Sequence, residues 1–191
     1  MKVKDVFEDI FTGFNINSLK TDNNFAKYYK TLQKDSIQYT NIIESKLIEK
    51  KISTDIKKKY LMQPRDILIF VKPPYRVGTY LMQNDLNLVI PNNFIVLRGI
   101  DMNLYSFIFV TNYLEKYGIE KYVKENNITG NLSKVDIEKI ELPDIPKEKQ
   151  MTISPLLNAI NERSATYSTI LENDEQIIKF AINNVIGDKN D

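Results

Sequence analysis

The sequence predicts an α+β domain with a mixed, curved sheet, followed by one long C-terminal helix suited to coiled-coil pairing. Three observations carry that expectation. Short apolar runs bounded by turn residues, Asp66–Val71 and Phe94–Arg98 above all, read as buried strands. Apolar residues at helical spacing mark shorter helices around them. Beyond a composition shift at Pro143–Pro146, a 4-3 repeat runs through Ile153, Leu157, Ile160, Ser164, Tyr167, Leu171, Asp174, Ile178, Ala181 and Val185.

The elements follow in chain order. Val3, Val6, Phe7, Ile10 and Phe11 recur at helical spacing and predict a helix that stops before Gly13. Residues 14–36 are polar and Asn-rich and read as a long loop with a short helical piece. Ser53 or Thr54 is placed to cap a short helix through Met62. The strand Asp66–Val71 is closed by Pro73–Pro74, and Gly78–Ile90 reads as further strand with a turn near Asn84–Asp85. Pro91–Asn93 is a turn, and Phe94–Arg98 the next strand. Asp101 then reads as the N-cap of a helix whose buried face is Leu104, Phe107, Ile108, Thr111 and Leu114, with Gly118 as its stop. Asn126–Gly130 is a loop, Ser133 and Asp136 form a capping-box pair, and Ile140–Leu142 is a brief strand.

In the tail, Leu156, Ile160, Tyr167, Ile170, Ile177 and Ala181 widen the apolar stripe. Ser164 and Asp174 interrupt it as polar register-setters do. Pro155 is expected to kink or restart the helix, with Ser154 as a cap. The division expected is a domain over 1–143, a spacer and dimerisation helix over 144–187, and a disordered tail over 188–191.

Composition narrows the chemistry. The 191 residues include no cysteine, which removes disulfides, thiolate zinc sites and cysteine nucleophiles, and no histidine, which removes the commonest general base. No metal site is expected. The opening MKVKDVFEDIF carries acids within its apolar stretch, unlike a signal peptide, and no apolar run is long enough to span a bilayer. The expected address is cytoplasmic, with no membrane partner. Net charge is +1 but unevenly spread: residues 1–60 hold twelve lysines against eight acids, while residues 143–191 hold five basic residues against eight acids. The basic end suits phosphates, and the acidic tail should avoid them.

Two enzyme-like signals arise. Lys72-Pro73-Pro74-Tyr75 follows a strand, where adenine-N6 methyltransferases carry an Asn, Asp or Ser before the Pro-Pro pair to accept from the target amino group. Lysine has no acceptor, and the chain lacks a Gly-rich cofactor loop, so methylation by this chain is not expected. Asp35 with Glu44-Ser45-Lys46 mimics the carboxylate-metal arrangement of nucleases, a spacing that a chain with 27% charged residues produces readily.

Several segments together resemble the Type I restriction-modification DNA specificity subunit. Val3-Lys4-Asp5-Val6 through Gly13 is similar to the family's opening. Arg65-Asp66-Ile67-Leu68-Ile69 resembles its G-D-I-L strand, with Arg65 in place of glycine. Gly78 falls where a glycine often follows that strand, Phe94–Arg98 is similar to an apolar strand ending in arginine, and Tyr113-Leu114 matches a Y-L pair. Leu132-Ser133-Lys134, Ile137, Ile140, Leu142, Pro143, Pro146, Glu148 and Gln150 resemble the junction to the spacer helix, and Leu156–Arg163 its start. Members usually carry two recognition domains and two helices, so this chain resembles a half form. Arg65 for glycine implies a different backbone before the strand, since non-glycine residues resist positive φ.

The resemblance implies a non-catalytic subunit that reads double-stranded DNA through one target-recognition domain. It implies docking to a methyltransferase subunit, which holds S-adenosylmethionine, while this chain holds no cofactor. A restriction subunit is a further partner, and homodimerisation through Ile153, Leu157, Ile160, Tyr167, Leu171, Ile178 and Val185 is expected. Candidate base-reading residues lie on loops: Asn15 and Asn17 after Gly13; Lys72, Tyr75, Arg76 and Thr79 after the central strand; Asn126, Asn127, Thr129 and Asn131 around Gly130. Lys57, Lys58 and Lys59 are candidate phosphate contacts. Two alternatives stay open: a non-reading decoy that occupies methyltransferase subunits, and a nuclease using Asp35, Glu44 and Lys46.

Overall fold

The computed structural model describes residues 1–16, 27–52, 55–79 and 87–187. Its centre is a six-stranded mixed sheet in the order β1-β9-β6-β7-β4-β3, built from β1 (Phe7–Thr12), β3 (Ile37–Gln38), β4 (Asn41–Ile42), β6 (Ile67–Phe70), β7 (Arg76–Thr79) and β9 (Phe94–Ile100). A second sheet has the order β5-β2-β8, from β2 (Lys27–Thr31), β5 (Ile48–Ile52) and β8 (Leu88–Val89). The pairs β4–β7 and β2–β8 are parallel and the rest antiparallel.

Both faces of the central strands are buried, so β6 and β9 are apolar at consecutive positions instead of alternating. Ile67, Ile69, Ile95 and Leu97 face a cluster with Phe107, Val110, Leu114 and Ile137 of the helical layer. Leu68, Phe70, Phe94 and Val96 face a second cluster with Leu32, Ile42, Leu88 and Ile90. The helical layer comprises α1 (Phe107–Tyr113), a π turn (Leu114–Gly118), α2 (Ile119–Glu125) and α3 (Lys134–Lys139). The chain's start and the end of this layer are tied together: Val3 N–H donates to Ile140 O at 2.9 Å, and Leu142 N–H to Met1 O at 2.8 Å.

Several sequence expectations are corrected here. The predicted N-terminal helix is a 3-10 turn over Val3–Asp5 followed by β1, which pairs with β9 from Phe7 opposite Ile100 to Thr12 opposite Ile95. Phe7, Ile10 and Phe11 are all buried because the strand has core on both sides, which mimics a helical stripe. The loop expected over 14–36 contains β2, flanked on both edges by β5 and β8. Only a 3-10 turn at Lys58–Tyr60 stands where a helix through Met62 was expected, and the Ser53 or Thr54 cap lies outside the described residues. So does the turn near Asn84–Asp85. The first long helix is capped by Ser106, whose side chain accepts from Phe109 N–H at 3.4 Å. Asp101 instead closes a local turn by accepting from Asn103 N–H at 2.8 Å. Gly118 does not stop that helix. It sits in helical backbone, where a Cβ would press on the Tyr113 ring at 2.9 Å, and α2 continues to Asn126. Ile140–Leu142 is reduced to one bridge, Lys2 to Glu141. The Ser133–Asp136 capping box is present.

Arg65 resolves differently from the expectation of a changed backbone. It keeps the left-handed conformation, φ 67°, that glycine adopts freely. Gln63-Pro64-Arg65-Asp66 forms a turn in which Asp66 N–H donates to Gln63 O at 3.1 Å. Proline at the second position and positive φ at the third suit a type II turn. Arg65→Gly should therefore raise stability by about 1 kcal/mol and Arg65→Val lower it by at least that much, since a left-handed L residue costs roughly 1–2 kcal/mol. Urea unfolding of the two variants checks the sign of each.

The C-terminal helix, α4, is continuous over Lys147–Gly187 and passes through Pro155 without restarting. Ser154 is not a cap. Its hydroxyl donates to Gln150 O at 2.7 Å and shares a 2.6 Å hydrogen bond with the Ser106 hydroxyl. The helix meets its own domain through a polar stripe. Gln150 Oε1 accepts from Ser106 N–H at 2.9 Å, and its Nε2 donates to Ile145 O at 2.7 Å. Asn161 Nδ2 donates to Asn112 Oδ1 at 2.9 Å and to Thr40 Oγ1 at 2.8 Å. Gln150, Ser154 and Asn161 are all buried, and Leu157 between them packs on the helical-layer core.

Further along, Glu172 takes Lys46 Nζ at 2.5 Å and Gln38 Nε2 at 3.2 Å. The Lys46 ammonium and the Gln38 amide hold its carboxyl below the usual glutamate range. A lowered folded value means that this contact is present above the ordinary carboxylate pKa and is lost as pH falls through the folded one. An NMR carboxyl titration should find Glu172 titrating below the ordinary value in the wild type and close to it in Lys46→Gln.

Candidate nucleic-acid interface

Strand directions bring the loops of interest to one end of the six-stranded sheet. β1 and β6 end there, and β7 and β9 begin there, so segments 13–16, 71–76 and 90–94 are neighbours. Gly13 N–H donates to Phe94 O at 2.9 Å and Phe14 N–H to Ile90 O at 2.7 Å. A Cβ at Gly13 would lie 2.2 Å from Pro91 O, so only glycine admits this approach. Val71 N–H donates to Asn93 O at 3.1 Å, and Leu132 N–H to Val71 O at 2.9 Å. The Tyr75 hydroxyl donates to Gly130 O at 2.7 Å, which pins the 126–131 loop beside the 71–76 loop. The Pro73–Pro74 peptide is cis.

Among the candidate readers, Asn15, Lys72, Arg76, Asn127, Thr129 and Asn131 are exposed on these loops. Arg76 Nη1 lies 3.7 Å from Glu115 Oε1, a loose tether. Burial pushes the Glu115 carboxyl up, while the Val77 amide donating to it pulls the other way. Three candidates are used internally. Thr79 is buried, and its hydroxyl donates to Asp66 O at 2.9 Å, so it offers no edge to a base and is withdrawn. Tyr75 is half-buried with its hydroxyl committed to Gly130, which makes it a positioning residue. Asn126 donates its amide to Tyr122 O at 2.8 Å and closes α2. Asn17 lies outside the described residues.

Lys57, Lys58 and Lys59 are exposed. Lys59 pairs with Asp9 at 3.0 Å and lies over the Phe11 ring, so its charge is already engaged beside β1. The nuclease trio does not present a free constellation: Lys46 is engaged by Glu172, and Asp35 pairs with Lys34 at 3.7 Å. Among the described residues no helix is long and apolar enough to cross a membrane.

Two motif residues prove to be one structural unit. Asp66 is fully buried, and Arg98 grips it through both oxygens, Nε to Oδ1 at 2.8 Å and Nη2 to Oδ2 at 2.7 Å. Arg98 also donates to Lys59 O at 3.1 Å and Leu61 O at 3.0 Å. Burial pushes the Asp66 carboxyl up, and Arg98 and the Gln63 amide pull it back. The pair locks β6, β9 and the 59–61 segment behind the loop end. Sequence reasoning marked both residues without pairing them. Gln150 and Asn161 stand in the segments that carry the resemblance, but their anchoring role leaves no mark on an apolar periodicity.

No protein-family model matches the sequence, and no curated protein matches it. Solved structures do. A chain from a structure described as underlying complex assembly and conformational transition of the type I R-M system is 18% identical at TM-score 0.56, covering 95% of this chain and 42% of that one. The HsdS subunit from Thermoanaerobacter tengcongensis is 17% identical at TM-score 0.54, covering 89% and 38%. The Type-I restriction-modification S subunit from M. genitalium is 15% identical at TM-score 0.52, covering 96% and 44%. This chain thus spans less than half the length of each, and over that span, a mixed-sheet domain with one long helix, it has the fold of the Type I specificity subunit.

Proposed function

We propose that this chain is a non-catalytic, DNA-reading half-subunit of a Type I restriction-modification complex. The observation that carries the reading is the convergence of the 13–16, 71–76 and 126–131 loops at one sheet end, with Lys72, Arg76 and three asparagines exposed there on a fold shared with specificity subunits. Arginine reads guanine and asparagine reads adenine through paired hydrogen bonds. A methyltransferase subunit supplies S-adenosylmethionine and the chemistry, and a restriction subunit completes a cleaving form.

A second copy pairs with it through the long helix. The outward stripe of α4 leaves Ile153, Ile160, Tyr167, Leu171, Ile178 and Val185 between 40% and 68% exposed, an apolar surface that an antiparallel partner helix covers. At 1.5 Å per residue the helix is about 60 Å long. That length holds two domains over half-sites about one helical turn of DNA apart, roughly 34–36 Å.

The test is reconstitution with a Type I methyltransferase subunit: adenine methylation of a DNA library should require this chain. The chain alone should bind S-adenosylmethionine not at all and DNA weakly. Arg76→Ala should relax preference at one position of each half-site by about 1–3 kcal/mol. Methylation that proceeds equally without the chain would overturn the reading.

A further inference from the structure

A cavity of about 380 Å³ opens beside the loop end, between the two sheets. Its walls come from the end of β2, from β5, from the segment after β6 and from the Pro91–Asn93 turn. Lys34, Lys50 and Lys72 line it, and among the described residues no carboxylate does. Lys50 and Lys72 form no ion pair among the described residues, and Lys34 has only the 3.7 Å contact with Asp35. Two lining side chains carry buried oxygens without a hydrogen-bond partner among the described residues, Thr31 Oγ1 and Asn93 Oδ1. Buried polar atoms are ordinarily paired, and like charges gathered about one cavity repel. An anion that accepts hydrogen bonds would offset the lysine charges and give the Thr31 hydroxyl an acceptor, while Asn93 Oδ1, itself an acceptor, gains only if its carboxamide turns.

We propose that this cavity seats one phosphate group, and that its source is the DNA backbone. The second half of the statement rests on the DNA-reading function proposed above. The lysines supply charge-assisted donors, and the buried Thr31 hydroxyl reaches a phosphate oxygen only when its side chain rotates toward the cavity. Asn93 offers its amide N–H once the carboxamide turns about its last bond, an orientation that ordinary structures assign from hydrogen bonding. Phosphate contacts set register and base contacts carry sequence. Lys72 is thereby reassigned from base reading to phosphate binding, next to the Arg76 loop that it aligns on the groove.

The test uses the full chain, wild type and Lys50→Gln/Lys72→Gln, with the exposed pair Lys4→Gln/Lys149→Gln, outside the cavity, as comparator. Each is titrated with random-sequence duplex across a low-salt series, and its melting is followed with inorganic phosphate at constant ionic strength. Loss of one phosphate contact should lower duplex affinity about tenfold in the cavity variant, and the slope of log affinity against log salt should fall by about one. The comparator should change little. Phosphate should raise the melting temperature of the wild type and not of the cavity variant, which should melt no lower than wild type without phosphate. Duplex binding unchanged in the cavity variant overturns the backbone assignment while leaving DNA reading intact. If no protein binds duplex but the phosphate effect is lost in the variant, the seat stands and DNA reading falls. A cavity variant indistinguishable from wild type in both arms overturns the proposal.

Discussion

Asp66→Ala should cost about 3–5 kcal/mol of folding stability. The carboxylate is fully buried and gripped bidentately, so removing it leaves the Arg98 guanidinium, only 17% exposed, without its counter-charge. The loss also frees Gln63 N–H, which donates to Asp66 Oδ2 at 2.8 Å in the turn that starts β6. Against a typical total of about 5–15 kcal/mol, this is enough to unfold a marginal domain. The penalty comes from stranding a charge and not from the net worth of the pair. Asp66→Leu combined with Arg98→Met should therefore recover most of it. Urea unfolding of the single and double variants gives the coupling directly. A single-variant loss below about 1 kcal/mol would mean that the pair is solvated and does not hold β6, β9 and the 59–61 segment together.

The second large effect is on assembly. Leu171 and Ile178 are 64% and 57% exposed in the free chain, so Leu171→Glu/Ile178→Glu should leave the fold unchanged. In a two-fold dimer each substitution occurs twice. Each buried apolar side chain contributes about 1.5–3 kcal/mol. Dimer dissociation should consequently rise by at least about a hundredfold, and the variant should sediment as a monomer at micromolar concentration while retaining the wild-type melting profile. A wild-type chain that is itself monomeric at that concentration, or a double variant that still dimerises, would contradict pairing through this stripe.

What the sequence disclosed, and what it hid, follows from which interactions leave a pattern. The strands Ile67–Phe70 and Phe94–Ile100 were legible because sheets covered on both faces produce unbroken apolar runs. The long helix was legible because its repeat runs from Ile153 to Val185, most of a helix of 41 residues. The same rule misled at Phe7–Thr12, where burial on both faces placed apolar residues at 7, 10 and 11 and imitated a helix. Lys27–Thr31 was missed because KYYKT carries only two buried side chains and takes its strand form from its neighbours. Gly118 misled because its missing side chain serves packing against Tyr113, not termination.

At the candidate site, loop residues were legible by type but not by commitment. Sequence cannot distinguish Thr79, buried and bonded to Asp66, from Thr129, exposed on the adjacent loop. The basic cavity was hidden more deeply, since Lys34, Lys50 and Lys72 come from three separate segments that only the fold assembles.

Under the proposed function, one chain used twice reads DNA for a methyltransferase partner. Modified-base sequencing of the host genome, with the gene present and deleted, tests it most directly. Two identical domains related by a closed two-fold present the same surface to each strand. Methylated adenines should therefore appear in an inverted repeat, the same short half-site on both strands with unread bases between, and should vanish on deletion. A methylation pattern unchanged by deletion would contradict the reading function, and a contiguous motif without a gap would contradict the spacer helix that separates the two domains.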